Sequence, residues 1–260
     1  MKVGHSMQQD WDERGRKDPF FYIASWRNDW NEEAFFESGE QDYERFVAHL
    51  LARRGVLPGN KSMIELGCGV GRMTRTFARK FGTVTACDVS SEMLNRGQAL
   101  CRTEKNIIWL QSNGLDLRGI ASNSTDFVFS YLVLQHMPKE EIVHDYIREM
   151  LRVLRNGGLC LFQFNGTSEK NMNWKGRVTW NLIDAMWRVR LPSVAKRTAR
   201  ILRLDPEMAG NNWHGVAVRT MRILKTVHDS GGVDAELWGE NTPMAWCCAS
   251  KAGSELTPKA

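Results

Sequence analysis

The sequence predicts an α/β protein built on an open, mostly parallel sheet with helices on both faces. Three observations carry that prediction. A short strand, Met63-Ile64-Glu65-Leu66, runs through glycines at alternate positions, Gly67, Gly69 and Gly71, into a helix-forming segment from Arg72 to Lys80. A second strand, Thr83 to Asp88, ends on a carboxylate. From there to residue 164 strand and helix patterns alternate, which calls for right-handed crossovers and a sheet covered on both sides. Ligands of such sheets bind beyond the carboxyl ends of the strands, where Gly67 to Gly71, Asp88, Asn113 and Ser130 fall.

Glycines suit the first turn because a Cβ would obstruct its backbone angles and keep a ligand off the main chain. The N–H groups of the following helix start favour an electron-rich or anionic group. A dinucleotide pattern wants its third glycine three positions after the second, at Arg72, whereas here it stands at Gly71. A pyrophosphate therefore fits less well. The Glu65 carboxylate beside the turn repels a phosphate and attracts an ammonium or sulfonium group.

Glu65 to Gly71 reads E-x-G-x-G-x-G, and with Asp88 closing the next strand it resembles the class I S-adenosylmethionine-dependent methyltransferases. The resemblance implies a Rossmann-like fold of seven strands, the last antiparallel. It implies S-adenosylmethionine as cofactor, S-adenosylhomocysteine as product, and methyl transfer as the activity. Glu65, Gly67, Gly69 and Gly71 would then hold the methionine moiety, with Arg72 either at its carboxylate or facing solvent. A carboxylate about 20 residues after a glycine turn accepts both ribose hydroxyls, the role that falls to Asp88.

The remaining elements follow in order. Residues 1–55 form an aromatic, charged leader, helical from Gln41 to Arg54 by the spacing of Tyr43, Phe46, Val47, Leu50 and Leu51 and stopped by Gly55 and Pro58. It reads either as a helix packed on the sheet edge or as a lid. By resemblance, Tyr22 and Trp26 line the acceptor site. Ser90 to Cys101 is a capped crossover helix; the resemblance implies that Val89 and Met93 touch the adenine, and Met93 also reads as plain core packing. Asn106 to Gln111 is the third strand. After it, Asn113 and Gly114 match the family's adenine-edge position, and Asn-Gly is also a favoured turn.

Thr125 to Tyr131 is the fourth strand, leading into Leu-Gln-His-Met-Pro at 134–138. No Asn/Asp-Pro-Pro-aromatic sequence and no Pro-Cys pair stands there, which disfavours the DNA-base branches, and the Leu-Gln-His-Met-Pro run resembles the small-molecule branch of the family. By resemblance Ser130 and Tyr131 lie near the methionine part of the cofactor, and Gln135 and His136 on the acceptor side. His136 has the chemistry of a base, and a histidine here also serves as a structural hydrogen-bonding residue. An amphipathic helix spans Lys139 to Leu154, Asn156-Gly157-Gly158 breaks it, and Leu159 to Phe164 is the fifth strand.

Residues 165–212 interrupt the rhythm with tryptophans and basic residues and read as a helical cap: a solvated face, an anionic-substrate pocket or a surface patch. Trp213 and His214 follow, His214 as the second base candidate and Trp213 as an acceptor-side residue. The helix from Val218 to Val227 and the strands Val233 to Trp238 and Met244 to Ala249 close the sheet. The domain division is thus leader 1–55, cofactor domain 56–164 with 213–252, and cap 165–212.

The chain of 260 residues, 42% hydrophobic and +5 in formal charge, suffices for one main domain and tolerates an acidic substrate without requiring one. Six cysteines without a C-x-x-C pair read as reduced core residues, and no metal is expected. No apolar run approaches a membrane span, and Met1 to Ser6 lacks a signal-peptide core, so the expected compartment is the cytoplasm. The expected partner is a small-molecule acceptor for oxygen or nitrogen methylation, a natural product, glycan or other metabolite, with the chain a monomer or homodimer. Nucleic acid is not expected. The rivals are a methyltransferase of RNA or protein, an NAD-dependent oxidoreductase, disfavoured by glycine spacing and the lack of Tyr-x-x-x-Lys, and a non-catalytic cofactor-binding module.

Overall fold

The computed structural model describes residues 2–167, residue 198 and residues 215–253. The predicted cap, apart from its first residues and residue 198, and the candidates Trp213 and His214 lie outside the described residues.

Five helical segments precede the sheet: α1 (Lys2–Lys17), α2 (Pro19–Ile23), α3 (Glu32–Asp42), a π-helical stretch (Tyr43–Ala48) and α4 (His49–Arg53). The starts of α2 and α3 are dictated locally. Asp18 accepts from the Phe21 N–H with Pro19 in the first turn, and Asn31 accepts from the Ala34 N–H. Phe35 and Phe36 bury completely, contributing about 1.5–3 kcal/mol each.

The sheet contains β1 (Gly59–Leu66), β2 (Phe81–Asp88), β3 (Ile107–Gln111), β4 (Thr125–Ser130), β5 (Leu154–Phe164), β6 (Gly232–Trp238) and β7 (Ala245–Lys251). Their order is β3-β2-β1-β4-β5-β7-β6, and β7 runs antiparallel to both of its neighbours. Helices α5 (Thr74–Lys80), α6 (Ser91–Leu100), α7 (Glu140–Val153) and α8 (Thr220–Asp229) connect the strands. One hydrophobic cluster joins Ile64 and Val128 to Ile147 of α7 and Ile223 of α8, and another joins Met63 and Phe129 to Phe77 of α5 and Leu51 of α4. The core thus lies on both sheet faces.

The strand order reverses between β1 and β4, the place where such sheets open a ligand crevice. Leu66 pairs with Cys87 on one side and Ser130 on the other. The glycine turn, Asp88 and Tyr131 therefore leave the sheet side by side.

Two boundaries differ from expectation. Helix α5 begins at Thr74 and not at Arg72, because Gly69 to Met73 remain in the turn, where the Gly71 N–H donates back to the Cys68 carbonyl at 2.9 Å. Strand β5 begins at Leu154, directly after α7: Thr125 pairs with Leu154 and Phe127 with Leu159, so Gly157 (φ +74°) and Gly158 make a bulge inside the strand.

Candidate functional site

A cavity of about 280 Å³ opens where β1, β2 and β4 end. Its floor is the glycine turn. Gly67 has φ +74°, and a Cβ there would stand 2.1 Å from the Val133 side chain; at Gly69 it would meet Ile23 at 2.5 Å. The turn is held from β2: the Gly67 and Cys68 N–H groups donate to the Cys87 carbonyl at 2.7 and 3.0 Å, and the Gly69 N–H donates to Asp88 at 2.8 Å. Those N–H groups are already satisfied. Gly67, Cys68 and Gly69 therefore offer no free N–H to an anion.

Asp88 also accepts the Ser90 N–H at 2.9 Å. Burial pushes its carboxyl above the usual range, against the pull of the N–H groups of Ser90, Gly69 and Val89. The carboxylate keeps lone-pair capacity for a hydroxyl donor. Val89, Met93, Ser112 and Gly114 complete this end of the cavity. Asn113 does not line it: its amide caps its own turn, accepting from the Leu115 and Asp116 N–H groups at 2.8 and 3.0 Å and donating to Asp116 at 2.8 Å.

Glu65 sits at the centre, 5% exposed, and accepts the Thr74 hydroxyl at 2.5 Å. Burial raises its carboxyl to about 8, with Thr74 and Arg72 pulling the other way. Arg72 lines the cavity too and is not solvent-facing: it is 3% exposed, ion-paired to Asp42 at 2.8 Å and bonded to the Ser38 hydroxyl at 3.2 Å. Gly71 and Ser130 stand behind the wall. Gly71 turns at φ +89° beside Cys101 and Trp109, and the buried Ser130 hydroxyl donates to the Leu66 carbonyl at 3.3 Å.

The far end is aromatic. Tyr131, Gln135 and His136 come from the β4 end, and Tyr22 and Trp26 from the leader. Tyr131 stacks on Trp246 with centroids 5.2 Å apart, and burial lifts its hydroxyl to about 12. The His136 ring meets Trp11 edge-on at 5.7 Å, and burial together with the Arg14 guanidinium lowers its pKa to about 4, so it is neutral at pH 7. Trp26 stands at the rim, 57% exposed. Sequence reasoning missed Met7, Trp11, Ser112, Leu132, Tyr146 and Met244, all of which line the cavity. Ser112 and Leu132, each next to a proposed position, carried a local signal.

The six cysteines are free and buried. Among the described residues no three His, Cys, Asp or Glu side chains gather as a metal site, and no helix is long and apolar enough to cross a membrane.

Comparison with known proteins places this architecture. Residues 64–162 match the methyltransferase-domain family, spanning β1 through β5. A demethylmenaquinone methyltransferase of Tropheryma whipplei is 28% identical over 153 residues, covering 58% of this chain and 56% of the relative. A 2-methyl-6-phytyl-1,4-hydroquinone methyltransferase of Synechocystis sp. is 26% identical over 144 residues, 52% of this chain and 44% of the relative. The chain thus spans about half the length of the curated relatives it matches. The solved magnesium protoporphyrin IX methyltransferase from Synechocystis PCC 6803 with bound S-adenosylhomocysteine superposes with a TM-score of 0.60 at 15% identity, covering 95% of this chain and 99% of that one, a likeness of fold. The glycine turn and its two strand-end carboxylates, Glu65 and Asp88, lie within the segment 64–162 that matches the methyltransferase-domain family.

Proposed function

We propose that the protein transfers a methyl group from S-adenosylmethionine to an oxygen or nitrogen of a small molecule with a flat, largely apolar body. The observation that carries this is the placement of Glu65, Asp88 and an aromatic wall around one cavity. The residues fit the cofactor. The glycine floor has no room for a Cβ at Gly67 or Gly69, and Asp88 retains acceptor capacity for hydroxyls. Glu65, raised to about 8, is a buried carboxyl that a cationic group would return to its charged form.

In this reading Asp88 holds the ribose, Val89, Met93, Ser112 and Gly114 enclose the base, and Glu65 with Arg72 holds the amino-acid end. Bound there, S-adenosylmethionine supplies a methyl group activated by positive sulfur. The chain supplies alignment and exclusion of water, which bring most of the rate when the group is already activated. Leu66 and Ser130 are paired neighbours, so the β4 end stands beside the centre of the cavity and presents Tyr131, Gln135 and His136 to an acceptor. Trp11, Tyr22 and Trp26 offer faces on which an apolar, planar molecule stacks. Arg72 is the cation lining the cavity among the described residues, and Asp42 neutralises it. An anionic acceptor therefore gains little from this part of the wall. The same reading keeps the chain in the cytoplasm as a monomer or homodimer.

Calorimetric titration with S-adenosylhomocysteine, and with NADH for comparison, tests the cofactor. Binding of S-adenosylhomocysteine alone is expected; binding of NADH alone overturns the reading. A panel of hydroxylated aromatics, phosphorylated amines, tRNA and protein, with labelled S-adenosylmethionine, then tests the acceptor. Transfer confined to the last three refutes the flat apolar class.

A further inference from the structure

We propose that Gln163 is a positioning residue: acting through the Gln135 amide, it fixes the neutral His136 ring with its proton on Nδ1 and its Nε2 lone pair occupied.

Gln163 is a polar residue in the otherwise apolar end of β5 and is completely buried. Its orientation is dictated by three backbone groups. The Leu132 N–H, which can only donate, lies 3.1 Å from Oε1. The carbonyls of Pro243 and Phe164, which can only accept, lie 2.7 and 3.0 Å from Nε2. Exchanging the oxygen and nitrogen would set a donor against a donor and acceptors against acceptors.

The constraint then passes outward. Gln163 Nε2, whose second hydrogen the Phe164 carbonyl and Gln135 share, lies 3.1 Å from Gln135 Oε1, and turning Gln135 over would bring two NH₂ groups face to face. Gln135 therefore shows its NH₂ group to His136, whose Nε2 is 3.2 Å away. An amide nitrogen donates and does not accept, so Nε2 is the acceptor. A neutral imidazole carries one ring proton, which is left to Nδ1.

The same side chain steadies the β4 end. Leu132 has φ +59°, a left-handed conformation costing a leucine roughly 1–2 kcal/mol, and its N–H is the one bound by Gln163. Both Leu132 and Gln135 line the cavity. Resting on the methyltransferase reading, the consequence is that His136 meets an acceptor as an oriented, uncharged wall whose Nε2 is already engaged, and does not take a proton there.

The test is the tautomer itself, read by long-range proton–nitrogen correlation on protein labelled with ¹⁵N-histidine at pH 7. His136 is assigned by loss of its signals in His136→Asn. In the wild type, Nε2 should be pyridine-like and Nδ1 pyrrole-like. In Gln135→Glu the carboxylate only accepts: it keeps the bond from Gln163 and demands a proton on Nε2, so the pattern should invert. In Gln163→Met the Gln135 amide is released, and both tautomers should appear. If that variant does not fold, Gln135→Glu, an isosteric change at a partly exposed position of the single 3-10 turn Leu134–His136, carries the test alone. A pyrrole-like Nε2 in the wild type, or an uninverted pattern in Gln135→Glu, overturns the proposal. S-adenosylhomocysteine titrated into the same samples keeps the two readings apart, since the tautomer does not depend on cofactor binding.

Discussion

Replacing Gly67 by alanine separates two demands that the glycine turn makes at once. The residue sits at φ +74°, where an L side chain costs roughly 1–2 kcal/mol, and its new Cβ would stand 2.1 Å from one γ-methyl of Val133 and 2.9 Å from the other. Forcing a methyl into filled space adds about 1–3 kcal/mol. The single substitution should therefore cost about 2–5 kcal/mol in urea unfolding. In a Val133→Ala background both γ-methyls are gone, and the nearest atom left is the residue-133 Cβ at 3.1 Å, so the conformational cost remains with a contact that a shift of a few tenths of an ångström relieves. The double-mutant cycle should show a coupling of about 1–3 kcal/mol, the repulsive part alone. Equal losses in both backgrounds would refute the claim that the β4-end loop is packed directly onto the turn.

Asp88→Ala should abolish S-adenosylhomocysteine binding by calorimetry, since it removes the anchor of Gly69 and the proposed ribose acceptors at about 1.5–3 kcal/mol per charge-assisted bond; wild-type affinity would sink the assignment. The pH dependence of stability isolates Glu65. Its folded-state value of about 8 exceeds the unfolded 4.5, so the native state holds a proton that the unfolded chain has released between these limits, and stability falls as pH rises through that window. Urea unfolding of Glu65→Gln from pH 5 to 8 should show a gain relative to wild type that grows with pH, and parallel curves would contradict the burial argument. Asp12→Ala should cost about 1–2 kcal/mol and detach α1, because Asp12 accepts the Ser90 hydroxyl at 2.6 Å and the Glu92 N–H at 3.1 Å at the start of α6; undiminished resistance of α1 to proteolysis would contradict this.

What the sequence made legible was what short-range pattern encodes. The glycine spacing, the strand-end carboxylates Glu65 and Asp88 and the alternation through β5 identify the turn and the sheet because backbone angles and strand ends are local properties. Boundaries set by long-range pairing were less visible. The glycines at 157 and 158 look like a stop, yet Leu154 is drawn into the strand by Thr125, which no local rule reports. Asn113 stood at the expected strand end, but its amide closes its own turn and leaves the cavity to Ser112 and Gly114. Gln163 was visible as a glutamine in a hydrophobic strand, a sign of a buried polar network whose partners, at 132, 135 and 243, only the fold reveals.

The leader reads in the sequence either as a helix packed on the sheet edge or as a lid, and its contacts combine packing with a place in the cavity wall. Helix α1 is tied to the β2 end of the cavity where Asp12 meets Ser90, the residue whose N–H is held by Asp88. One residue earlier, Trp11 faces His136 at the opposite end of the cavity. Helix α3 lies so close to the turn that a Cβ on Gly39 would stand 2.0 Å from the Arg72 carbonyl oxygen. The segment touches β2, the glycine turn and the β4 end, the three places that define the crevice. Phe35 and Phe36 bury in one cluster against which Trp11 packs, and Trp11, Tyr22 and Trp26 of the same segment line the cavity. Packing energy and acceptor-site shape are therefore set by the same contacts, and a substitution that loosens the leader should register in stability and in acceptor selection together.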